Sequence, residues 1–251
     1  MMNSLLLHSG FAIYHFMAWK GLVHVNYHAL KDKRLSPMAE LSTRFLTNWN
    51  FTLQTLVFYG YLLYDIFHVT GVCNEWRRKF KKKLDFYFYS IVAPMGIFVP
   101  VVFWGAILFD TTLLRVFHDP AIDVIMPPWL NHSVHTLVSV NVLVHAFQNK
   151  VSSFRLQSLL LPLIIFNLCY ISCIYVTHYE TRIWVYPFLR KVDEPYRIMI
   201  LLFLCGLSVF IGVAFNYVNN LCFSENMTSV NAKFYSEKIS HLGEKDKKQI
   251  D

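Results

Sequence analysis

The sequence predicts an all-α, polytopic membrane protein, and three observations carry that reading. Hydrophobic residues make up 55% of the 251 and charged residues 16%, where a soluble domain typically carries about 25% charged residues. The apolar residues fall into long runs, and about 20 such residues suffice for a helix to cross a bilayer. The 5 cysteines are odd in number and form no C-x-x-C pair, which sets aside a disulfide framework and a zinc site. A soluble enzyme, a disordered chain and a disulfide-rich secreted domain are all excluded on these grounds.

Six segments qualify as spans, at 4–25, 45–68, 86–109, 129–147, 156–178 and 198–223. The first resembles a signal peptide in position. It lacks a basic leader, contains Lys20 and meets no small-x-small cleavage site, so it is retained as a span. Pro127 and Pro128 mark a helix start for the fourth, the most polar of the six, which carries Asn131, His132, His135, Asn141 and His145. Residues 1–223 form the six-helix domain. Residues 224–251 form a polar tail of mixed charge, expected to be mobile. No internal repeat or low-complexity tract is present.

Lys and Arg in short loops set orientation. Six spans put both termini on one side, together with the loop holding Arg77, Arg78, Lys79, Lys81, Lys82 and Lys83, the densest basic cluster. That side is predicted to be cytoplasmic. The net charge of +7 is then accounted for by anionic lipid head groups. A nucleic-acid partner is not indicated, because the basic cluster abuts a span. The protein is expected in the endoplasmic reticulum or the plasma membrane.

Polar groups inside spans are expensive, so their positions are informative. Thr47, Asn50 and Gln54 share one face of the second segment, and Asn131, His135 and Ser139 share one face of the fourth. Both faces should turn into the bundle. Both segments enter from the non-cytoplasmic side, which places Thr47 and His135 within about 5–10 Å in depth. His178 closes the fifth segment at that level and Asp110 closes the third. A threonine hydroxyl becomes a nucleophile when a base takes its proton, histidine is that base near neutral pH, and a carboxylate can orient the ring. Each residue also has a purely structural reading, Thr bonding its own i−4 carbonyl and His a neighbouring helix. His15, His135, His145 and His178 also have the chemistry of b-type haem ligands, but lie at differing depths. His241 and Asp246 match an acyltransferase pattern, in a polar tail with no span behind it. No G-x-S-x-G, H-E-x-x-H or Walker pattern occurs.

Three stretches are distinctive: Arg44-Phe45-Leu46-Thr47; Pro128-Trp129-Leu130-Asn131-His132-Ser133-Val134-His135-Thr136; and Trp184-Val185-Tyr186-Pro187-Phe188-Leu189. A weaker fourth is Phe103-Trp104 followed by Asp110. In order and spacing they resemble the FAR-17a-like family of androgen-induced and androgen-dependent tissue-factor-pathway-inhibitor-regulating proteins, from about Arg44 to Phe223. The resemblance implies a six-span hydrolase with cytoplasmic termini that cleaves fatty acid esters of hydroxy fatty acids. It implies Thr47 as nucleophile and His135, the second histidine of Asn-His-x-x-His, as base, with no cofactor and no metal. Asn131, Asn48, Asn50 and Trp129 are candidate oxyanion donors, with Asp110, Asn131 and His178 as possible supports. Arg44 and Arg182 are candidates to hold a substrate carboxylate. Asn50 departs from the acidic residue expected from one relative. The competing class is a non-enzymatic membrane protein, either a lipid-sensing regulator or a haem electron carrier.

The charge asymmetry makes a testable statement. Epitope tags at either terminus should be reached by protease only after the inner face of the membrane is opened, and exposure of either tag in intact cells would contradict it.

Overall fold

The computed structural model describes residues 2–109, 126–149 and 154–247, with side chains at all of these except 37, 38 and 223–247. Among them the secondary structure is helical throughout. Six long helices are present: α1 (Met2–Lys31), α3 (Leu46–Val69), α4 (Asn74–Phe109), α5 (128–148), α6 (Leu156–Thr181) and α7 (Glu194–Lys247). A short α2 (Ser36–Glu40) and a 3₁₀ turn, Ser42–Arg44, lie between α1 and α3. Each of the six segments expected from the sequence lies within one long helix. Among the described residues, three helices are long and apolar enough to cross a membrane: Asn74–Phe109, Leu156–Thr181 and α7 over Glu194–Cys222. The other three long helices carry more polar side chains.

Two boundaries differ from expectation. The basic run 77–83, expected as a loop, is the first part of α4, and only the turn after Val69 separates it from α3. Glu75–Lys79 and Lys81–Asp85 pair four residues apart on this stretch, which suits a helix projecting past an apolar core. Gly71, at φ 74°, makes the preceding turn, a backbone region that costs glycine nothing. At the far end of the chain, α7 runs on past Phe223 as one helix to Lys247, since no proline follows Pro195 to break it.

The bundle is apolar on the outside, and its mainly apolar interior also holds buried polar side chains. Leu161, Ile165 and Leu168 of α6 and Leu202, Phe203 and Phe210 of α7 are exposed. Asn50, Gln54, His15, His145 and Ser208 are fully buried. An exposed apolar surface of this extent requires a partner phase, and for long apolar helices that phase is lipid. The interior is close-packed where helices cross. A Cβ on Gly96 of α4 would lie 2.7 Å from both Gln54 Nε2 of α3 and Val142 Cγ2 of α5.

One end of the bundle is tied by a buried polar network. His8 Nδ1 donates to Asp65 Oδ2 at 2.6 Å, and Ser4 Oγ donates to both carboxyl oxygens, at 3.0 and 2.9 Å. His8 Nε2 therefore accepts, from His145 Nδ1 at 3.2 Å. His145 Nε2 accepts in turn from Asn149 Nδ2 at 3.1 Å, and that amide also donates to Asp85 Oδ1 at 3.0 Å. Tyr61 and Lys81 complete the Asp85 carboxyl, at 2.9 and 2.8 Å. One direction of donation satisfies these groups in series, and it joins α1, α3, α4 and α5. It also fixes that the starts of α1 and α4 and the ends of α3 and α5 meet, so these helices alternate in direction.

The network should behave as a unit. His8→Leu leaves the buried Asp65 carboxyl with Ser4, and breaking a buried pair from one side costs about 3 kcal/mol or more. Thermal unfolding in detergent should show a lower midpoint for His8→Leu and for Asp65→Leu, and a double variant more stable than the sum of the two losses implies. Strict additivity would contradict the coupling.

Candidate active site

At the opposite end of the bundle, α3 begins at Leu46 with Phe45 as its N-cap. The Leu46 N–H is taken by the hydroxyls of Tyr170 and Tyr186, at 2.9 and 3.2 Å, and those two hydroxyls bond each other at 2.7 Å. Tyr170 also donates to the Arg44 carbonyl at 3.1 Å. The start of α3 is thus fixed by α6 and by the segment after it. Thr47 is the second residue of that first turn.

The placement decides what the Thr47 hydroxyl does. Thr52, Thr55, Thr70, Thr177 and Thr181 each donate to the carbonyl four residues earlier, the usual habit of a helical threonine. For Thr47 the residue four earlier precedes the helix. Its Oγ1 lies instead 3.2 Å from His135 Nε2 on α5.

His135 sits in a wide π-turn, Ser133–Leu137, between the two α-helical parts of α5. Its Nδ1 lies 2.8 Å from Asn131 Oδ1 and 3.2 Å from the Asn131 carbonyl oxygen. A backbone carbonyl and an amide oxygen can only accept, so with both facing it Nδ1 carries the proton. Nε2 is therefore a bare lone pair, and it faces the threonine hydroxyl. Trp104 Nε1 donates to the His135 carbonyl at 3.2 Å, pairing a backbone oxygen within the wide turn. The Phe103 ring stacks on the imidazole with centroids 3.6 Å apart and planes inclined by 10°. The ring is 3% exposed. The arrangement has the parts of an activated nucleophile: a hydroxyl, a base in reach and a group that orients the base.

Two cavities meet at this pair. A small apolar one, of about 100 Å³, lies between α4, α6 and α7 and is lined by Phe98, Val102, Ala106, Ile174, Leu201 and Cys205 among others. A larger one, of about 760 Å³, lies between α1, α3 and the segment around α2, and includes Asn26, Tyr27, Ser42, Asn48 and Thr52. Thr47, His135 and Phe45 line both.

The structure brings together Thr47, His135 and Asn131, and assigns other surroundings to the remaining candidates. Asp110 lies outside the described residues. His178 lines neither cavity and stacks on Trp184 at 3.9 Å, beneath the Arg197 guanidinium. Among the oxyanion candidates, Asn48 is committed to the Ser42 carbonyl at 2.6 Å. Asn50 is buried against Gln54 and lines neither cavity. Trp129 is 51% exposed, and the Asn131 amide oxygen faces His135. Arg44 pairs with Glu180 at 3.4 Å, and Arg182 caps α6 in a left-handed conformation with its side chain over Tyr179. Lys31 lies 2.6 Å from the hydroxyl of Tyr27, which lines the larger cavity. Trp184 is buried, and Tyr186 braces the start of α3. The histidines considered for haem are engaged elsewhere: His15 with Thr55 at 2.9 Å, and His145 directly with His8.

The FAR-17a/AIG1-like protein family model matches residues 10–220. The chain belongs to that family. It is 28% identical over 225 residues to the androgen-dependent TFPI-regulating protein of Homo sapiens, covering 83% of this chain and 87% of that one. The Mesocricetus auratus protein of the same name is 28% identical over 201 residues, at 77% and 84% coverage. The androgen-induced gene 1 protein of Homo sapiens is 29% identical over 164 residues, at 63% and 68%. No solved structure matches the chain. The matched region contains both members of the Thr47–His135 pair, so the site lies in the part of the chain that defines the family.

The tautomer can be read directly. Nitrogen-15 spectra of histidine-labelled protein should show the His135 proton on Nδ1, and should keep it there in Asn131→Ala, because the backbone carbonyl remains. A proton on Nε2 would contradict the arrangement.

Proposed function

We propose that the protein is a membrane-embedded lipid ester hydrolase that cleaves fatty acid esters of hydroxy fatty acids, with Thr47 as nucleophile and His135 as general base. The observation that carries this reading is the contact between Thr47 Oγ1 and the unprotonated nitrogen of His135, at 3.2 Å, where two cavities meet. The family supports it, since the FAR-17a-like resemblance implies this pair and this substrate class. In this reading all six long helices span the bilayer, both termini are cytoplasmic and the pair lies near the opposite face. The setting is the endoplasmic reticulum or the plasma membrane, and the partners are membrane lipids and the ester itself.

The chemistry follows from the site. His135 Nε2 takes the Thr47 proton as Oγ1 attacks the ester carbonyl carbon. The negative charge that develops on the carbonyl oxygen meets the first turn of α3. There the Leu46 N–H is held by the two tyrosines and those of Asn48 and Trp49 by the Phe45 carbonyl, and the helix dipole is positive. In this reading the N–H of Thr47 itself is the oxyanion donor. The bond from carbonyl carbon to alcohol oxygen breaks, and His135 returns the proton to that oxygen. The hydroxy fatty acid leaves. Water then attacks the acyl-threonine and gives its proton to His135, and the fatty acid departs as Thr47 recovers its hydrogen. The Phe103 ring shields one imidazole face throughout.

Thr47→Ala, His135→Ala and the double variant should each lower turnover by roughly 10³-fold or more, to a common residual rate, since residues acting as one unit are not additive. His132→Ala should lose far less, because His132 is exposed and bonds Thr136. A fluorophosphonate should form an adduct on Thr47 that requires His135 and weakens on acidification, as a protonated imidazole accepts nothing. Thr47→Ala with undiminished ester turnover would sink the proposal. Full turnover in the native protein without any adduct on Thr47 would instead make His135 a water activator.

A further inference from the structure

We propose that the two cavities divide the ester between them: the acyl chain occupies the small apolar cavity, and the alcohol arm, with its polar end, occupies the large one. This rests on the hydrolase reading above and assigns the substrate's two ends within it.

Three features of the geometry point to this. First, an ester carbonyl at Thr47 Oγ1 sends one chain away from carbon and the other away from the alkoxy oxygen, so the two arms diverge at the nucleophile. A single cavity would force them into a hairpin. Thr47 and His135 form the waist between two cavities instead, so each arm has its own path.

Second, the two linings differ in what they offer a polar end. No charged side chain lines the small cavity. Its polar groups are committed within the protein: Asn167 Nδ2 to the Leu163 carbonyl and Ser208, at 2.9 and 2.7 Å, and Tyr170 to Arg44 and Tyr186. A carboxylate placed there would lose its water and gain no partner, which is prohibitive. No charged side chain lines the large cavity either, but Asn26, Tyr27, Ser42 and Thr43 do, and the Tyr27 hydroxyl bonds the Lys31 ammonium at 2.6 Å. A carboxylate or other polar terminus finds charge-assisted donors on that side.

Third, the order of events requires it. The alcohol leaves first, and water must then reach the acyl-threonine. With the alcohol arm in the large cavity, its departure opens the wider path to the carbonyl carbon while the acyl chain stays seated in the small one. The opposite placement would have water enter through the smaller cavity.

Cys205 of α7 lines the small cavity away from the reacting pair, and Asn26 of α1 lines the large one. The test uses the purified full-length protein and two ester panels. One has p-nitrophenol as a constant small alcohol and acyl chains from butanoate to hexadecanoate. The other has butanoate as a constant acyl group on hydroxy acids from hydroxybutanoate to hydroxyoctadecanoate. The series Cys205→Ala, Cys205→Leu and Cys205→Phe should shift the acyl optimum progressively to shorter chains. Cys205→Phe should lower kcat/KM for p-nitrophenyl hexadecanoate about tenfold relative to the butanoate. The hydroxy-acid profile should stay unchanged. Asn26→Trp should do the reverse. Lys31→Ala should raise KM several-fold for hydroxyoctadecanoate butanoate but not for its methyl ester. If Cys205→Phe fails to fold, the alanine and leucine variants still give the gradient. Cys205 variants that move the hydroxy-acid profile, or that move neither, overturn the assignment. Loss of Thr47-dependent turnover on every ester in both panels is a different result. It overturns the hydrolase reading itself, whereas turnover with exchanged or flat profiles leaves that reading intact.

Discussion

The site depends on how α5 is wound at Ser133–Leu137. A π-turn adds a residue to one helical turn, and such turns are rare overall and frequent at functional sites; α4 carries another at Phe88–Val92. The one in α5 brings the side chain and carbonyl of Asn131 both within hydrogen-bond reach of His135 Nδ1. The proton is thereby held on the far side of the ring from Thr47. The wide turn also leaves backbone oxygens in need of donors, and Trp104 of α4 serves the one at His135. Removing the irregularity would cost both the tautomer and the Trp104 contact, so α4 and α5 cannot be repacked as regular helices without losing the base.

The second constraint is the start of α3. A threonine in mid-helix has a carbonyl four residues back waiting for its hydroxyl, and five others in this chain take that option. Thr47 escapes because it occupies the first turn, and the turn is held by Tyr170 and Tyr186. The same position sets the hydroxyl at the positive end of the helix dipole. A nucleophile and an anion-stabilising environment thus come from one structural choice, the place where the helix begins.

Much of this was legible in the sequence. Hydropathy located the six long helices, and the three- and four-residue spacing of Thr47, Asn50 and Gln54 gave their shared inward face. Alternating direction then put Thr47 and His135 at one level. What escaped was of two kinds. Irregular backbone has no periodic signature, so nothing announced the π-turn or the role of Trp104 in it. Charge runs read as loops, yet 77–83 is helix, because lysines favour helix and only the lipid-facing length needs to be apolar. His178 was grouped with the pair by depth alone. Depth fixes only one coordinate, and the position around the bundle placed it against Trp184 instead. The links among His8, Asp65 and His145 were invisible for the same reason: His8 and His145 are 137 residues apart in sequence.

The two ends of the bundle use the same residue types to opposite effect. At one end, His8, Asp65, His145, Asn149 and Asp85 bond to one another in series, each nitrogen of both rings meeting a protein partner. At the other, His135 has a protein partner on Nδ1, but its Nε2 meets a hydroxyl that also borders two cavities. A closed series has no vacancy for a reacting atom, so its free energy goes into holding four helices in place. The pair at the other end is held just as firmly on one side and left open on the other. Rigid support with one open coordination direction is what a base needs if it is to pass a proton to and fro without moving itself.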